Sequence, residues 1–331
     1  MPRIRTNRPY GLLAKYYDEL FTFHLSWYEA ARQRVLGGIT ERVECACDLA
    51  CGTGTTALGL ARKGIKMYGV DLSPTMRRLA REKSARLGAP LRVIAGDMRH
   101  FRLPEPVDLI LCEFDALNHV DRKGDLALVG RAVSRALRPG GYFYFDVNNR
   151  LAFETIWPGT WWAERPGVAL VMHGGYDRQR ERGWSNLEWF LQEGKCWRRR
   201  HERIEQVAWT EAELRGTLRK AGFERVSAFD ATPFFRGDTR IRPGCRTFYL
   251  ARKSRRQKGY ILTRRSGFAL HTTSSHRLDG PSLLPALTIM PLIRPRFRAV
   301  STLFPPQSDK KVHSGGAMRR QQAGEERDSH E

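Results

Sequence analysis

Between Cys47 and Thr56 the chain reads Cys-Asp-Leu-Ala-Cys-Gly-Thr-Gly-Thr-Thr, a stretch whose residue types suit it to hold a ligand against the main chain. Gly52 and Gly54 reach backbone angles closed to other residues and let a ligand approach the peptide itself. An apolar run, Val43 to Leu49, leads in, and a helical pattern, Ala57 to Lys63, leads out. The loop is therefore expected between a strand and a helix N-terminus. Such a terminus aims unpaired N–H groups and a positive dipole end at one spot. Nineteen residues past Gly52 (71 − 52), after a second apolar run Met67-Tyr68-Gly69-Val70, stands Asp71. A carboxylate there can accept both hydroxyls of a ribose. The unit reads as a nucleoside-binding βαβ. Gly52-x-Gly54-x-x-Ala57 also satisfies the dinucleotide pattern G-x-G-x-x-G/A, so spacing alone leaves open an NAD(P)-dependent oxidoreductase.

Three further strand ends supply side chains at the same edge. Leu91 to Ala95 is expected as the third strand, with Asp97 at its carboxyl end, where open α/β sheets bind ligands. Val107 to Cys112 is a near-continuous apolar run, as a strand covered on both faces requires. Glu113-Phe114-Asp115-Ala116-Leu117-Asn118-His119 leaves it at that edge. A Pro-Gly-Gly turn, residues 138–141, leads into a fifth strand, Tyr142 to Asp146, followed by Asn148. His119, Glu113 and Asp146 are of the types that can take a proton from a hydroxyl nucleophile. Asn118 and His119 suit equally well the capping of a helix that begins near Asp121, and Asp146 and Asn148 the capping of a loop.

Asp48-Leu-Ala-Cys-Gly-Thr-Gly-Thr, then Gly69-Val-Asp-Leu-Ser-Pro-Thr-Met, then Gly96-Asp-Met-Arg resembles the ordered motif set of class I S-adenosylmethionine-dependent methyltransferases. The resemblance runs from about Tyr10 to Lys253 and is specific in its first half. It implies an α/β fold: a Rossmann-like, seven-stranded, mostly parallel sheet with helices on both faces, its last pair of strands supplying the antiparallel member. It implies S-adenosyl-L-methionine as cofactor. Asp48, Ala50, Cys51, Gly52, Thr53 and Gly54 would hold the methionine part, Asp71 the ribose, and Asp97 with Met98 the adenine. Leu72, Met76 and Cys112 complete the implied cofactor set. Tyr17, of the pair Tyr17-Asp18, would lie over the methyl end, where an aromatic face suits a sulfonium; the alternative is that Tyr16 and Tyr17 pack on the sheet. The segment from Glu113 to His119 would border the methyl group and the acceptor. No Asn/Asp-Pro-Pro-Tyr motif follows the fourth strand, and Cys45, Cys47 and Cys51 read as small buried side chains rather than a metal cluster. Both features point to a small molecule with an N or O nucleophile.

Five regions are expected. Residues 1–42 form N-terminal helices over the cofactor site, one opening at Tyr10 and one running from about His24 to Leu36. Residues 43–148 form the cofactor-binding core. Residues 149–209 hold seven of the eight tryptophans and three strand-like pieces, Ala169–His173, Ser185–Leu191 and Arg203–Trp209. They are expected to fold as a small antiparallel insertion after strand five, most tryptophans in its own core and Arg198-Arg-Arg200 on a solvated face. This insertion is similar to the substrate lid of sugar-amine N-methyltransferases. Residues 210–253 supply a closing helix opened by the capping box Thr210-Glu-Ala-Glu213, and two strands, Phe223–Phe229 and Arg246–Ala251. Residues 254–331 lose periodicity, apart from an apolar patch Leu283 to Ile293, and are expected to be disordered, with a partner-binding arm as the alternative.

The net charge of +22 raises a nucleic-acid partner, and with it a non-catalytic nucleoside- or RNA-binding protein. Residues 254–331 carry 14 Lys+Arg against 6 Asp+Glu, or +8. The remaining 22 − 8 = +14 is spread along the chain and is mostly arginine, which discounts a nucleic-acid surface. No apolar run approaches membrane-spanning length, the N-terminus lacks a signal peptide's hydrophobic region, and six cysteines fit a reducing cytoplasm. Oligomeric state is left open.

Overall fold

The computed structural model describes residues 11–21, 25–235 and 241–255. These belong to the unit spanning Met1–Leu262; the unit from Thr263 to Glu331, with the expected tail and its apolar patch, lies outside them, as do Tyr10 and His24.

Seven strands make one sheet: β1 (Cys45–Leu49), β2 (Lys66–Asp71), β3 (Leu91–Ala95), β4 (Val107–Cys112), β5 (Leu137–Asn148), β10 (Phe223–Asp230) and β11 (Arg246–Lys253). Their order is β10-β11-β5-β4-β1-β2-β3, parallel except for β11, which runs against both neighbours. The order reverses at β1, so the glycine loop after β1 opens where such folds bind ligands.

Alternation within each strand divides the core in two. Cys45, Cys47 and Leu49 face α5 (Lys123–Ala136) and α7 (Glu211–Lys220), burying Leu126, Val129, Val133, Leu214 and Leu218. Ala46, Leu109 and Leu111 face α2 (Leu25–Leu36) and α3 (Thr55–Ala61), burying Tyr28, Val35, Leu58 and Leu60. Each large apolar side chain so buried contributes about 1.5–3 kcal/mol. Helix α4 (Pro74–Leu87) starts as its sequence dictates, with the Ser73 hydroxyl accepting the Met76 N–H, and ends at Gly88 in the left-handed conformation. The closing helix α7 has the expected reciprocal capping box between Thr210 and Glu213.

Two local expectations are corrected. The Pro-Gly-Gly segment is not a turn ahead of β5 but an irregularity inside it: Val107 pairs with Leu137, Leu109 with Tyr142, and residues 138–141 are accommodated between, Gly140 at φ 81°. The insertion has four strands rather than three: β6 (Thr160–Arg165), β7 (Val168–Asp177), β8 (Arg182–Glu193) and β9 (Cys196–Val207), an antiparallel meander reached through the short helix α6 (Arg150–Thr155). Its tryptophans are also dispersed. Trp189 is fully buried among Leu170, Leu187 and Ile204, and Trp161 packs against that group. Trp209 belongs to the main core, its indole N–H donating to the Leu117 carbonyl at 3.1 Å. Trp162 and Trp197 are exposed. The arginine run is solvated: Arg198 and Arg199 pair with Glu193 and Glu188 at the hairpin surface.

The N-terminal helix α1 (Gly11–Phe21) packs on this insertion through Leu13 and Leu20. Glu202 of β9 is buried beneath its first turn, accepting the N–H groups of Leu12 at 2.9 Å and Leu13 at 3.1 Å and the Trp189 indole N–H at 3.0 Å. A side chain from the insertion thus satisfies donors that a helix start cannot satisfy itself. Glu202→Ala should destabilise the protein by about 2–4 kcal/mol, since buried donors lose their acceptor. Urea unfolding measures it, and a variant as stable as the parent would show that the cap carries no weight.

Candidate active site

The loop after β1 folds back on itself. Ala50, Gly52 and Gly54 take left-handed angles, φ 61°, 54° and 79°, and the Gly54 N–H donates to the Cys51 carbonyl at 2.8 Å. A Cβ on Gly54 would stand 3.0 Å from Leu91 and 3.2 Å from Ala80, so this glycine serves close packing as well as the turn. Gly69 does the same for the next strand, where a Cβ would stand 2.9 Å from the Cys51 sulfur.

A cavity of about 1100 Å³ opens over the loop. Of the residues implied as cofactor contacts, Tyr17, Asp48, Ala50, Cys51, Gly52, Thr53, Asp71, Leu72, Met76, Asp97 and Met98 line it. Gly54 and Cys112 do not: Gly54 starts α3 behind the loop, and Cys112 is wholly buried in the sheet core. Asp71, read as the ribose acceptor, lies at the end of β2 on the cavity wall. Its carboxylate accepts the Gly52 N–H at 2.9 Å and the Ser73 N–H at 2.7 Å, and burial pushes its pKa up against those two donors. Asp48, 4% exposed, is pushed well above the usual carboxylate range by burial, with Glu113 adding to it. Asp97, implied for the adenine, lines the cavity as one half of an ion pair. Arg99 donates to both its oxygens, at 2.9 and 2.6 Å, and holds its pKa down; the same guanidinium reaches Asp125 at 2.7 Å.

Tyr17 is placed by its neighbour. Asp18 accepts the Thr53 hydroxyl at 2.6 Å and pairs with Lys83, which also donates to Thr53 and Thr55. Helix α1 is thereby tied to the glycine loop with the Tyr17 ring on the cavity wall, and burial raises the phenol's pKa further above its ordinary value. Asp18 was legible only as half of a Tyr-Asp pair, and Lys83 carried no signal in the sequence.

The three groups expected as proton acceptors separate. Glu113 lines the cavity but is committed: Arg32 donates to it at 2.6 Å and the Thr56 hydroxyl at 2.9 Å. Asp146 does not line the cavity and is fully buried. It takes Arg246 at 2.5 Å, the Tyr28 hydroxyl at 3.0 Å and the Asp115 N–H at 3.1 Å. Burial pushes its pKa up to about 7. His119 lines the cavity, with Nε2 3.0 Å from the Gln206 side-chain nitrogen, and burial lowers its pKa. Asn118 is structural: its amide accepts the Asn148 N–H and donates to the Asn148 and Val207 carbonyls. Phe114 and Asp115 are consecutive left-handed non-glycine residues, φ 58° and 49°, a strained pair of a kind that clusters at functional sites.

Residues 46–141 match the model of the methyltransferase domain family. YqeM of Bacillus subtilis, a methyltransferase by name, is 26% identical over 252 residues, 74% of this chain and 98% of that protein. The dTDP-4-amino-2,3,4,6-tetradeoxy-D-glucose N,N-dimethyltransferase of Saccharopolyspora spinosa is 29% identical over 182 residues, 55% of this chain and 64% of its own length. Among solved structures, an S-adenosylmethionine-dependent methyltransferase from Clostridium acetobutylicum matches with a TM-score of 0.62 at 22% identity, covering 75% of this chain and all of that one. DesVI of Streptomyces venezuelae matches at 0.58 and 22%, covering 73% and 98%. The oxidoreductase and RNA-binding readings are not favoured by these relatives. Among the described residues no helix is long and apolar enough to cross a membrane. Residues 46–141 thus match a methyltransferase domain, and the chain around them has the fold of that solved S-adenosylmethionine-dependent methyltransferase.

Proposed function

We propose that the protein transfers a methyl group from S-adenosylmethionine to the amine of a small molecule, by in-line displacement and without a general base. The cofactor supplies, when bound, a methyl carbon already activated by a positive sulfur. The chain's own work is to hold two partners in line, which can contribute several kcal/mol, up to about 7–11. The turned main chain at residues 50–54 and the carboxylate of Asp71 fit a nucleoside with an amino-acid tail. The buried Asp48 carboxyl fits its ammonium, and the Tyr17 face a sulfonium.

The observation that favours nitrogen is the state of the carboxylates, two of the three groups expected as proton acceptors; the third, His119, stays on the cavity wall with its pKa lowered. Glu113 is held by Arg32 and Thr56, and Asp146 is sealed behind the wall with Arg246. A hydroxyl acceptor usually benefits from a base, whereas an amine arriving neutral attacks unaided. The amino-sugar dimethyltransferase among the relatives supports an amino sugar as the acceptor. Incubation with methyl-labelled cofactor and a panel of nucleotide-linked amino sugars and their hydroxyl counterparts, read by mass spectrometry, tests this. A gain of one or two methyls on the amines alone is expected. Methylation of the hydroxyl compounds would overturn the choice of nucleophile, and binding of NADH in preference to S-adenosylhomocysteine would overturn the activity.

A further inference from the structure

We infer that Lys83, on α4, is a positioning residue for the cofactor: it holds the glycine loop and helix α1 in the arrangement that receives the ligand, without itself reaching the cavity. The inference rests on the cofactor site proposed above. The apex of the loop is Thr53, flanked by Gly52 and Gly54 in the left-handed conformation. Glycines on both sides leave such a turn many alternatives to its folded shape. The Thr53 hydroxyl is a handle by which the apex can be held, and Lys83 Nζ donates to it at 2.9 Å. Lys83 also donates to the Thr55 hydroxyl at 2.8 Å, at the start of α3, and pairs with Asp18 of α1. The loop, α1 and α3 thus meet at one amine.

The directions of these bonds follow from the donors present. An ammonium has three hydrogens and accepts none, so Asp18, Thr53 and Thr55 use all three. Thr53 accepts from Lys83 and passes its own hydrogen to Asp18 Oδ1, 2.6 Å away. Thr55 Oγ1 lies 3.4 Å from the same carboxylate oxygen and 3.3 Å from Thr53 Oγ1, so its hydrogen also stays within the cluster. The set is closed, and its bonds to charged groups are the strong kind. The Lys83 side chain is 12% exposed, against 38% for Asp18, so water competes poorly for the ammonium. Lys83 does not line the cavity, whereas Tyr17, Asp18, Thr53 and Thr55 all do. Removing the amine would therefore leave the composition of the wall intact and loosen its parts. The cost would appear in binding, because a cradle that must be ordered before it holds a ligand holds it less tightly.

Lys83→Met keeps most of the stem and removes the ammonium. Hydrogen exchange on the ligand-free protein, read by mass spectrometry, should show residues 52–56 exchanging roughly tenfold faster than in the parent, with β4 and β5 unchanged. Unaltered exchange at residues 52–56 would overturn the inference. Calorimetry should show S-adenosylhomocysteine bound about ten- to a hundredfold more weakly, the size of one or two charge-assisted hydrogen bonds. Parental affinity in a folded Lys83→Met protein, with only the unfolding midpoint lowered, would make Lys83 merely structural and overturn the inference as well. Lys83→Arg, charged but with a planar fork in place of three converging hydrogens, should recover part of the loss. Asp18→Ala combined with Lys83→Met should bind no more weakly than the worse single variant, since the two act as one unit; additive losses would show that they do not. Should Lys83→Met fail to fold, Thr53→Val, which deletes the hydroxyl alone, carries the same predictions for exchange and affinity. A parent protein that binds no S-adenosylhomocysteine defeats the proposed function, and hydrogen exchange then still decides the role of Lys83.

Discussion

Asp71→Ala is expected to weaken S-adenosylhomocysteine binding by about a hundredfold or more while the fold survives. A ribose diol would give this carboxylate two charge-assisted hydrogen bonds, each contributing roughly 1.5–3 kcal/mol, and 1.4 kcal/mol is a factor of ten. The loss compounds, because Asp71 also receives the N–H groups of Gly52 and Ser73, and its removal loosens the turn that meets the ligand. Asp71→Asn, which keeps one acceptor oxygen, should fall between. Calorimetric titration with circular dichroism as the check on folding decides the matter. Unaltered affinity would mean that the nucleoside lies elsewhere.

Arg246→Met should produce the largest loss of stability, about 3–5 kcal/mol near neutral pH, the usual cost of stranding a buried partner charge. Arg246 serves Asp146, Asp115 and the Tyr28 ring at once from the antiparallel strand β11. The loss should depend on pH, with a definite sign. Asp146 is already pushed up to about 7 by burial, far above its ordinary value of 3.8. A group raised in the folded state favours folding where it is protonated, and that contribution disappears as pH rises through the folded pKa. Removing Arg246 takes away the charge that opposes the rise, so the folded pKa climbs further. The variant should stand closest to the parent at about pH 5 and fall furthest behind at about pH 8, as urea unfolding at the two pH values would show. A deficit constant across that range would mean that Asp146 keeps its charge without Arg246.

Much of this was legible in the sequence, for reasons of period. Strands β1 to β4 are short apolar runs punctuated by glycine and aspartate, and the residues that must stand at their ends are fixed by chain connectivity. Eleven of the thirteen implied cofactor residues therefore lie on the cavity wall; Gly54 and Cys112 fall one layer behind it. What could not be read is the pairing of charges across the chain. Nothing near Arg32 announces that it meets Glu113, 81 residues on, or that Gln206 meets Asp115 across 91. These partners decide which carboxylate is available for chemistry, and they are set by tertiary packing. The first strand of the insertion was hidden for the same reason: Thr160–Arg165 has weak alternation, and only its pairing with β7 makes it a strand.

The double attachment of α1 has a thermodynamic outcome. Its first turn is pinned by Glu202 under the insertion, and its third by Asp18 above the glycine loop. Helix α1 therefore joins two stretches of the wall of one cavity, the glycine loop and the insertion strand that carries Arg203 to Glu205. By reciprocity, whatever factor the acceptor adds to the hold on the sulfonium ligand, that ligand must return to the acceptor.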